Sequence, residues 1–256
     1  MDCLPEQEEC LMHRFYADTV NCVDSVVSLP EEDARHACTV LRMKPGQQAE
    51  IILDDGSRWS AELLSVSPKD VRLRLLSLLP STEPSVSVTL YQGLPKSDKM
   101  DLIMQKAVEL GVSRIVPVLM ERCVSRPDPK DSARKLERWR KIVREAGKQS
   151  GRCLIPQVSG ILTLKQVLSD PVLPGVNIVP WENAGGIGPL SFSKSHPSLS
   201  SIGILIGPEG GIEADEIRLL QSSGFIPVTL GKRILRTETA GLAAVSAIMC
   251  LYGEME

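Results

Sequence analysis
Aromatic side chains are scarce in this sequence: three Trp, three Tyr and three Phe make up 4% of 256 residues. A protein that gripped single-stranded nucleic acid chiefly by stacking bases on rings would carry more, which leaves shape and charge as modes of recognition. Histidine is rarer still, at three residues. The seven cysteines, Cys3, Cys10, Cys22, Cys38, Cys123, Cys153 and Cys250, are odd in number, scattered, and contain no C-x-x-C pair. Neither a metal site nor a disulfide framework is expected from them, and they read as reduced, buried thiols. No apolar run approaches the roughly 20 residues of a membrane-spanning helix. The first residues, with Asp2, Glu6, Glu8 and Glu9, lack the basic-then-apolar order of a secretory signal. A cytoplasmic location is the expectation. There is no internal repeat, and the one biased tract is a Ser-rich loop at Ser191–Ser201.

What is present is an ordinary globular composition, 43% hydrophobic and 24% charged, which excludes collagen-like and wholly disordered chains. A chain of 256 residues accommodates a small domain and a larger one, at roughly 100 to 200 residues per domain. Its net charge of −3 conceals a gradient. Residues 1–80 hold 8 Lys and Arg against 14 Asp and Glu, whereas Lys96 to Arg152 holds 15 against 8. A basic middle is compatible with a solvated helical face and with a phosphate-binding surface.

Strand signals dominate residues 48–79. Ala49–Leu53 and Trp59–Val66 flank Asp54-Asp55-Gly56, a hairpin turn signal, and in Val71–Leu75 the alternation places Val71, Leu73 and Leu75 on one face. A small β-barrel is expected over 1–80. The Pro- and Ser-rich stretch Pro80–Ser85 reads as a linker, beyond which strands alternate with helices. Strands are expected at Val86–Tyr91, Ile115–Leu119, Val176–Val179, Ile202–Ile206 and Pro227–Leu230, in a parallel sheet over 81–256. One helix, from about Ser97 to Leu110, carries Met100, Ile103, Ala107 and Leu110 at helical spacing and stops at Gly111. Another has Leu136, Trp139, Val143 and Ala146 as its apolar stripe, with Arg134, Lys135, Arg138, Arg140, Lys141 and Arg144 over much of the rest.

Two segments call for a chemical explanation. The apolar run Ile202–Ile206 enters the loop Gly207-Pro208-Glu209-Gly210-Gly211-Ile212, and glycine lets a ligand approach the backbone at the carboxyl edge of a parallel sheet. An ordinary tight turn would use the same residues. The loop is not a P-loop, since no Lys-Ser/Thr follows, and it lacks the G-x-G-x-x-G spacing of a dinucleotide fingerprint. The second segment, Leu230 to Ala240, mixes glycine, bases and acids ahead of a small-residue helix ending near Tyr252. Thr237 or Thr239 could cap that helix, with Glu238 favouring its positive end, but Arg233 and Arg236 then go unexplained. Neighbouring Arg suits a phosphate or an anionic base.

These two segments, together with Lys106–Val112 and Glu145–Arg152 upstream, resemble the RsmE family, bacterial 16S rRNA uridine-N3 methyltransferases of the SPOUT superfamily. Met12–Tyr16 and Val40–Gly46 are similar to that family's N-terminal segment, so the resemblance covers nearly the whole chain. The acidic leader before Met12 falls outside the family pattern, and Gly147 stands where alanine is frequent. The resemblance implies a PUA-like β-barrel that grips RNA and an α/β SPOUT domain with a C-terminal trefoil knot, a topology that general rules of chain threading would never predict. It also implies a homodimer acting on 16S rRNA and S-adenosylmethionine held without metal. Mapped onto this chain, the cofactor loops are Pro180, Trp181 and Glu182; Leu205, Ile206, Gly207, Glu209, Gly210 and Gly211; and Leu230, Gly231, Ile234, Leu235, Thr239 and Ala240. Gly210→Val is expected to block the cofactor while sparing the fold.

Methyl transfer to uridine N3 needs the N3 proton removed or the uracil anion stabilised. Glu238 and Glu209 are candidate bases, and Arg236 is the preferred anion stabiliser; all three could instead order the loops. Arg14, Arg42, Lys96, Arg122 and Arg152 are the expected RNA contacts. Two rivals stand beside this reading: a SPOUT enzyme with another target, such as a tRNA ribose hydroxyl, and an RNA-binding module without chemistry. The N-terminal segment favours the N3 family, and a pure binder would not need two glycine loops. The late position of those loops disfavours an ordinary Rossmann methyltransferase, whose glycine loop follows the first strand.

Overall fold
The computed structural model describes residues 12–256; the acidic leader, with Cys3 and Cys10, lies outside the described residues. The described chain divides into two compact units after Thr82.

The first unit is a six-stranded sheet. Its strands are β1 (Arg14–Ala17), β2 (Cys22–Val23), β3 (Val26–Ser28), β4 (Gln48–Leu53), β5 (Arg58–Val66) and β6 (Val71–Leu79). They pair in the order β1-β4-β5-β6-β3-β2, and only the β1–β4 pair is parallel. The end strands β1 and β2 are joined through the 3-10 turn Thr19–Asn21. A short helix, α1 (Glu31–Arg35), runs into a π-helical turn at His36–Val40. The β4–β5 hairpin turns where Asp-Gly predicts: Gly56 sits at φ +83° and its N–H donates to the Leu53 carbonyl at 2.9 Å. Alternation sorts β6 as expected, with Val71 and Leu73 fully buried, Leu75 half-buried, and Arg72 and Arg74 exposed.

One buried carboxylate organises the edge of this sheet. Glu50 on β4 accepts from Arg14 Nε at 2.8 Å and from Arg58 Nη2 at 2.7 Å. Burial raises its pKa, but the hydrogen bonds and charges of Arg58 and Arg14 outweigh that and hold the carboxyl below its ordinary range. Arg14, expected at the RNA, is thus half-buried and committed to Glu50.

The second unit is a parallel sheet with helices. Its elements are β7 (Ser87–Gly93), α2 (Lys99–Glu109), β8 (Arg114–Leu119), α3 (Pro129–Ser150), β9 (Gln157–Val158), β10 (Leu162–Thr163), α4 (Leu164–Leu168), β11 (Asn177–Pro180), α5 (Pro189–Ser195), β12 (Ser201–Ile206), α6 (Ala214–Ser222), β13 (Phe225–Val228) and α7 (Thr237–Leu251). The strands run β10-β8-β7-β12-β11-β13, all parallel, with β9 also on β8. Strand β12, late in sequence, therefore lies between β7 and β11, and Ile202 through Ile206 are buried, as a central parallel strand requires. Among the described residues no helix is long and apolar enough to cross a membrane.

Local chemistry sets the helix ends. Asp128 caps α3, accepting from the Asp131 N–H at 2.8 Å, Pro129 occupies the first turn, and Gly151 closes the helix in the left-handed region at φ +73°. Trp139, Val143, Ala146 and Gly147 form its buried face, with Leu136 half-buried beside them. The last strand begins two residues earlier than its apolar pattern predicts, at Phe225 instead of Pro227. Gly224 (φ +88°) turns the chain directly out of α6, so Leu230 falls in the following loop.

Arg152, expected among the RNA contacts, is corrected by its burial: it is 5% exposed. Its Nε and Nη2 reach Glu83 at 3.0 and 2.5 Å, and Nη1 donates to the carbonyls of Val108 and Val112 at 2.9 and 3.0 Å. It braces the end of α2 against the start of the unit. Removing one partner of a buried pair costs about 3–5 kcal/mol, so urea unfolding of Arg152→Ala is expected to show a loss of that order.

The Glu50 pair gives an acid signature. Because its folded pKa lies below the ordinary value of 4.5, the stability it contributes is complete above that value and is lost as pH falls through the folded pKa. Glu50→Gln is therefore expected to be less stable at pH 7 and to lose less further stability between pH 5 and pH 3, as read from urea midpoints.

Candidate cofactor and substrate site
The carboxyl ends of β11 and β12, the loop after β13 and the first turn of α7 surround two adjoining cavities. The larger, about 390 Å³, is lined by Pro180 and Glu182, by Ile206 through Ile212, and by Ile234 through Thr237 with Ala240. The smaller, about 130 Å³, is lined by Pro180 through Glu182, Thr229 through Leu235, and Ala240. A wider open groove of about 910 Å³ lies between α2 and α3, walled by Leu102, Lys106, Lys141 and Ile142 among others; it draws on the family-like segments around Lys106 and Glu145 but contains none of the expected cofactor, catalytic or RNA-contact residues.

Most of the expected cofactor positions thus converge from three separate stretches of chain. Pro180, Trp181, Glu182, Ile206, Gly207, Glu209, Gly210, Gly211, Leu230, Gly231, Ile234, Leu235 and Ala240 all line one cavity or both. Two do not. Leu205 points into the core of the sheet and is fully buried, because alternate residues of β12 face opposite sides. Thr239 is exposed on the outer side of the first turn of α7.

Gly210 also behaves differently from expectation. A Cβ at this position would lie 2.9 Å from Arg122 Cβ and 3.1 Å from the Arg122 carbonyl oxygen, and Arg122 is not among the residues lining the cavity. Gly210→Val would therefore displace the loop from its support before it filled the cavity. Arg122, expected at the RNA, supplies that support: its Nη1 donates to the Gly210 carbonyl at 3.1 Å and its Nη2 pairs with Glu213. Lys96 and Arg42 keep exposed side chains.

Two buttresses that sequence reasoning missed hold the cavity walls together. In the first, Thr237, the first helical residue of α7, is buried and donates its hydroxyl to the Gly207 carbonyl at 2.7 Å. It accepts from Gln92 Nε2 at 2.9 Å, and Gln92 is fully buried at the end of β7. Thr237 therefore ties the helix to the glycine loop and caps nothing. In the second, Lys99 Nζ lies 3.3 Å from Glu209 and 3.2 Å from Glu238. Glu209 also accepts from the Lys96 N–H at 3.0 Å. Burial raises the Glu209 pKa, but its own and the Lys96 backbone N–H, with Lys99, prevail and hold it below the ordinary range. The hydrogen bond to Glu238 foremost, with that to Glu209, raises Lys99. Neither partner is signalled locally, since Lys99 lies 110 and 139 residues from them in sequence.

Of the three candidate catalytic residues, only Arg236 remains unengaged. Its side chain is exposed, lines the larger cavity, and has no hydrogen bond or ion pair with any described residue. Glu209 lines the same cavity but is held ionised, and Glu238 lies outside the lining, paired to Lys99. Beside Arg236 the apolar side chain of Ile234 is 88% exposed.

Residues 82–249 match the family described as RNA methyltransferase domain, and residues 29–76 that described as RNA methyltransferase PUA domain. Ribosomal RNA small subunit methyltransferase E of Bacillus subtilis is 37% identical over 226 residues, covering 86% of this chain and 88% of the relative. The protein of the same name from Mycobacterium tuberculosis is 32% identical over 239 residues, covering 91% and 90%. Among solved structures, ribosomal RNA small subunit methyltransferase E of Neisseria gonorrhoeae, bound to S-adenosyl methionine, superposes with a TM-score of 0.78 at 35% identity, covering 94% of this chain and 98% of that one.

The Thr237 buttress is testable by itself. Thr237→Val removes the donor to the part-buried Gly207 carbonyl and one of the two acceptors of the buried Gln92 amide, which keeps the Gly93 carbonyl, at a cost of about 1–3 kcal/mol. Calorimetric melting is expected to show a loss of that order, largely restored in Thr237→Ser.

Proposed function
This chain belongs to the ribosomal RNA small subunit methyltransferase E family, and we propose that it methylates N3 of a specific uridine in 16S rRNA, with S-adenosylmethionine as donor. The observation that carries this reading is the convergence of three backbone segments on one cavity that also contains an unpartnered guanidinium. The cavity fits the donor. Its walls combine apolar Ile206, Ile234, Leu235 and Ala240 with carboxylates at Glu182 and Glu209 and an α7 N-terminus without a side-chain cap, a set suited to a ligand that carries an adenine, cationic groups and a carboxylate. When bound, S-adenosylmethionine supplies an electrophilic methyl group.

The residues of the chain then have distinct tasks. Pro180 to Glu182, Ile206 to Gly211 and Leu230 to Leu235 hold and orient the donor, and with it the direction of attack. Uridine N3 carries a proton at neutral pH, so the charge that develops during reaction is an anion on the uracil ring. Arg236 stabilises that anion, and its having no carboxylate partner among the described residues leaves its charge available. A general base works best with a pKa near the working pH, and Glu209 is held in the opposite direction. We therefore assign Glu209 and Glu238 to ordering the loops.

Several further features follow from the same reading. The first unit grips RNA as a PUA-like domain over about 1–80, ahead of a methyltransferase domain over 81–256, with Arg42 and Lys96 among the phosphate contacts. The chain path forms a trefoil knot, a reading favoured by β12 lying inside the strands that precede it and by the return of α7 from β13 to Gln92 of β7. The partner of Ile234 is a second copy of the chain, and the RNA is met in the small ribosomal subunit.

Incubating the chain with labelled S-adenosylmethionine and small subunits lacking the modification, followed by mass mapping of nucleosides, tests the activity; label on a ribose or on tRNA would refute it. Arg236→Ala is expected to lower the methylation rate about 10²–10³-fold, more than it lowers either affinity, and to recover partly at high pH, where uridine arrives already ionised. An equal loss of rate and cofactor affinity would make Arg236 a structural residue instead.

A further inference from the structure
Resting on the methyltransferase reading, we propose that Lys99 is a positioning residue for methyl transfer, its ammonium clamping Glu209 of the glycine loop to Glu238 of α7 so that the two walls of the cavity move as one. The two carboxylates come from segments that share no backbone ladder, and a single nitrogen lies 3.3 and 3.2 Å from them. Lys99 opens α2, and the same turn sends the Lys96 N–H to Glu209 at 3.0 Å. The start of α2 is itself anchored, since Arg138 of α3 pairs with Asp98 and Asp101. The clamp is thus fixed to α2, which is tied to α3, and reaches both walls of the cavity.

The charge balance gives Lys99 a role that packing alone would not. Without it, Glu209 and Glu238 would face one another as two unneutralised carboxylates, and one of such a pair takes up a proton far more readily than an isolated acid. Other charged groups near these segments are Lys96 and Asp98 on the approach to α2, Arg122 on the Gly210 carbonyl, Glu182 in the same cavity lining, and Arg236 at the foot of α7; Asp98 is engaged by Arg138, and the Arg236 side chain has no partner among the described residues. Lys99 therefore helps hold the Glu209 carboxyl below its ordinary range, and so keeps Glu209 accepting from the Lys96 N–H. By this account it governs the placement of Arg236, the residue after which α7 begins, without touching the uracil.

The test compares Lys99→Met and Lys99→Arg with the parent chain by two readouts. In the protein without ligand, amide hydrogen exchange of Lys99→Met is expected to quicken about three- to tenfold, the scale of a partly exposed ion-pair network, in Gly207–Ile212 and Arg236–Ala240 together, with β7 and β12 unchanged. In the methylation assay, kcat is expected to fall by about tenfold or more while cofactor affinity changes less, and the acid limb of the pH–rate profile to move toward neutrality. Lys99→Arg should restore coupled exchange and the profile. Exchange that is unchanged, or changed in one wall alone, overturns the clamp. A slow Lys99→Met enzyme with the parent's pH profile and no rescue by arginine would make Lys99 merely structural. If the parent chain methylates no RNA, the enzyme reading fails, and exchange still decides whether Lys99 couples the two walls.

Discussion
The carbonyl of Gly207 is the point on which the second unit depends. The chain leaves β12 in the middle of the sheet, and the carbonyl of Gly207, the next residue, is part-buried beside the larger cavity and needs a donor. The Thr237 hydroxyl is that donor, and Gln92 in turn satisfies Thr237. Residues 92, 207 and 237 come from three stretches far apart in sequence, so the network holds only when β7, the glycine loop and α7 are all in place. The cavity is the space left beside that junction, which is why its walls are backbone and why its shape is inseparable from the fold.

Within each unit, charged side chains away from full exposure are held by partners of opposite sign. Glu50 carries two guanidinium groups in the first unit, Glu83 meets Arg152 in the second, and Lys99 serves two carboxylates at the cavity. Each arrangement removes a cation or an anion from the count available to an outside partner. A basic excess in the sequence is therefore an upper bound on the charge offered to RNA: Arg152 is spent inside, Arg14 and Arg122 are engaged on their own units, and Lys96 and Arg42 remain extended into solvent. Arg236 stands apart, a cation lining the cavity whose side chain pairs with no carboxylate among the described residues.

Much of this was legible in the sequence, and for local reasons. Period-two alternation marked Val71–Leu75 in β6, the Asp-Gly turn set the β4–β5 hairpin, and apolar residues at helical spacing marked α2 and α3, because side-chain direction and backbone freedom act over a few residues. Apolar runs located β7, β8, β11 and β12. The glycine loop and the segment before α7 stood out as candidate binding elements because they mix glycine with charged residues at the carboxyl edge of a parallel sheet, although a tight turn would use the same glycines. Elements with weaker patterns were displaced or missed: β13 is short and begins at a glycine turn, and α6 announces itself only through the reciprocal Glu213 and Glu216 cap.

What only the tertiary structure decided is which side chains meet. No spacing rule links Lys99 to Glu209 and Glu238, or Gln92 to Thr237, since these pairs are created by the insertion of β12 between β7 and β11 and the return of α7. Nor could a sequence say that Arg152 is buried, that Leu205 faces the core, or that the open side of Gly210 meets Arg122. Residue types and their periodicity determined the elements, the two-part organisation and the family, because those follow from local sterics and motif order. The pairing of charges and the direction of each wall residue followed from packing, which depends on long-range contacts that one-dimensional spacing does not encode.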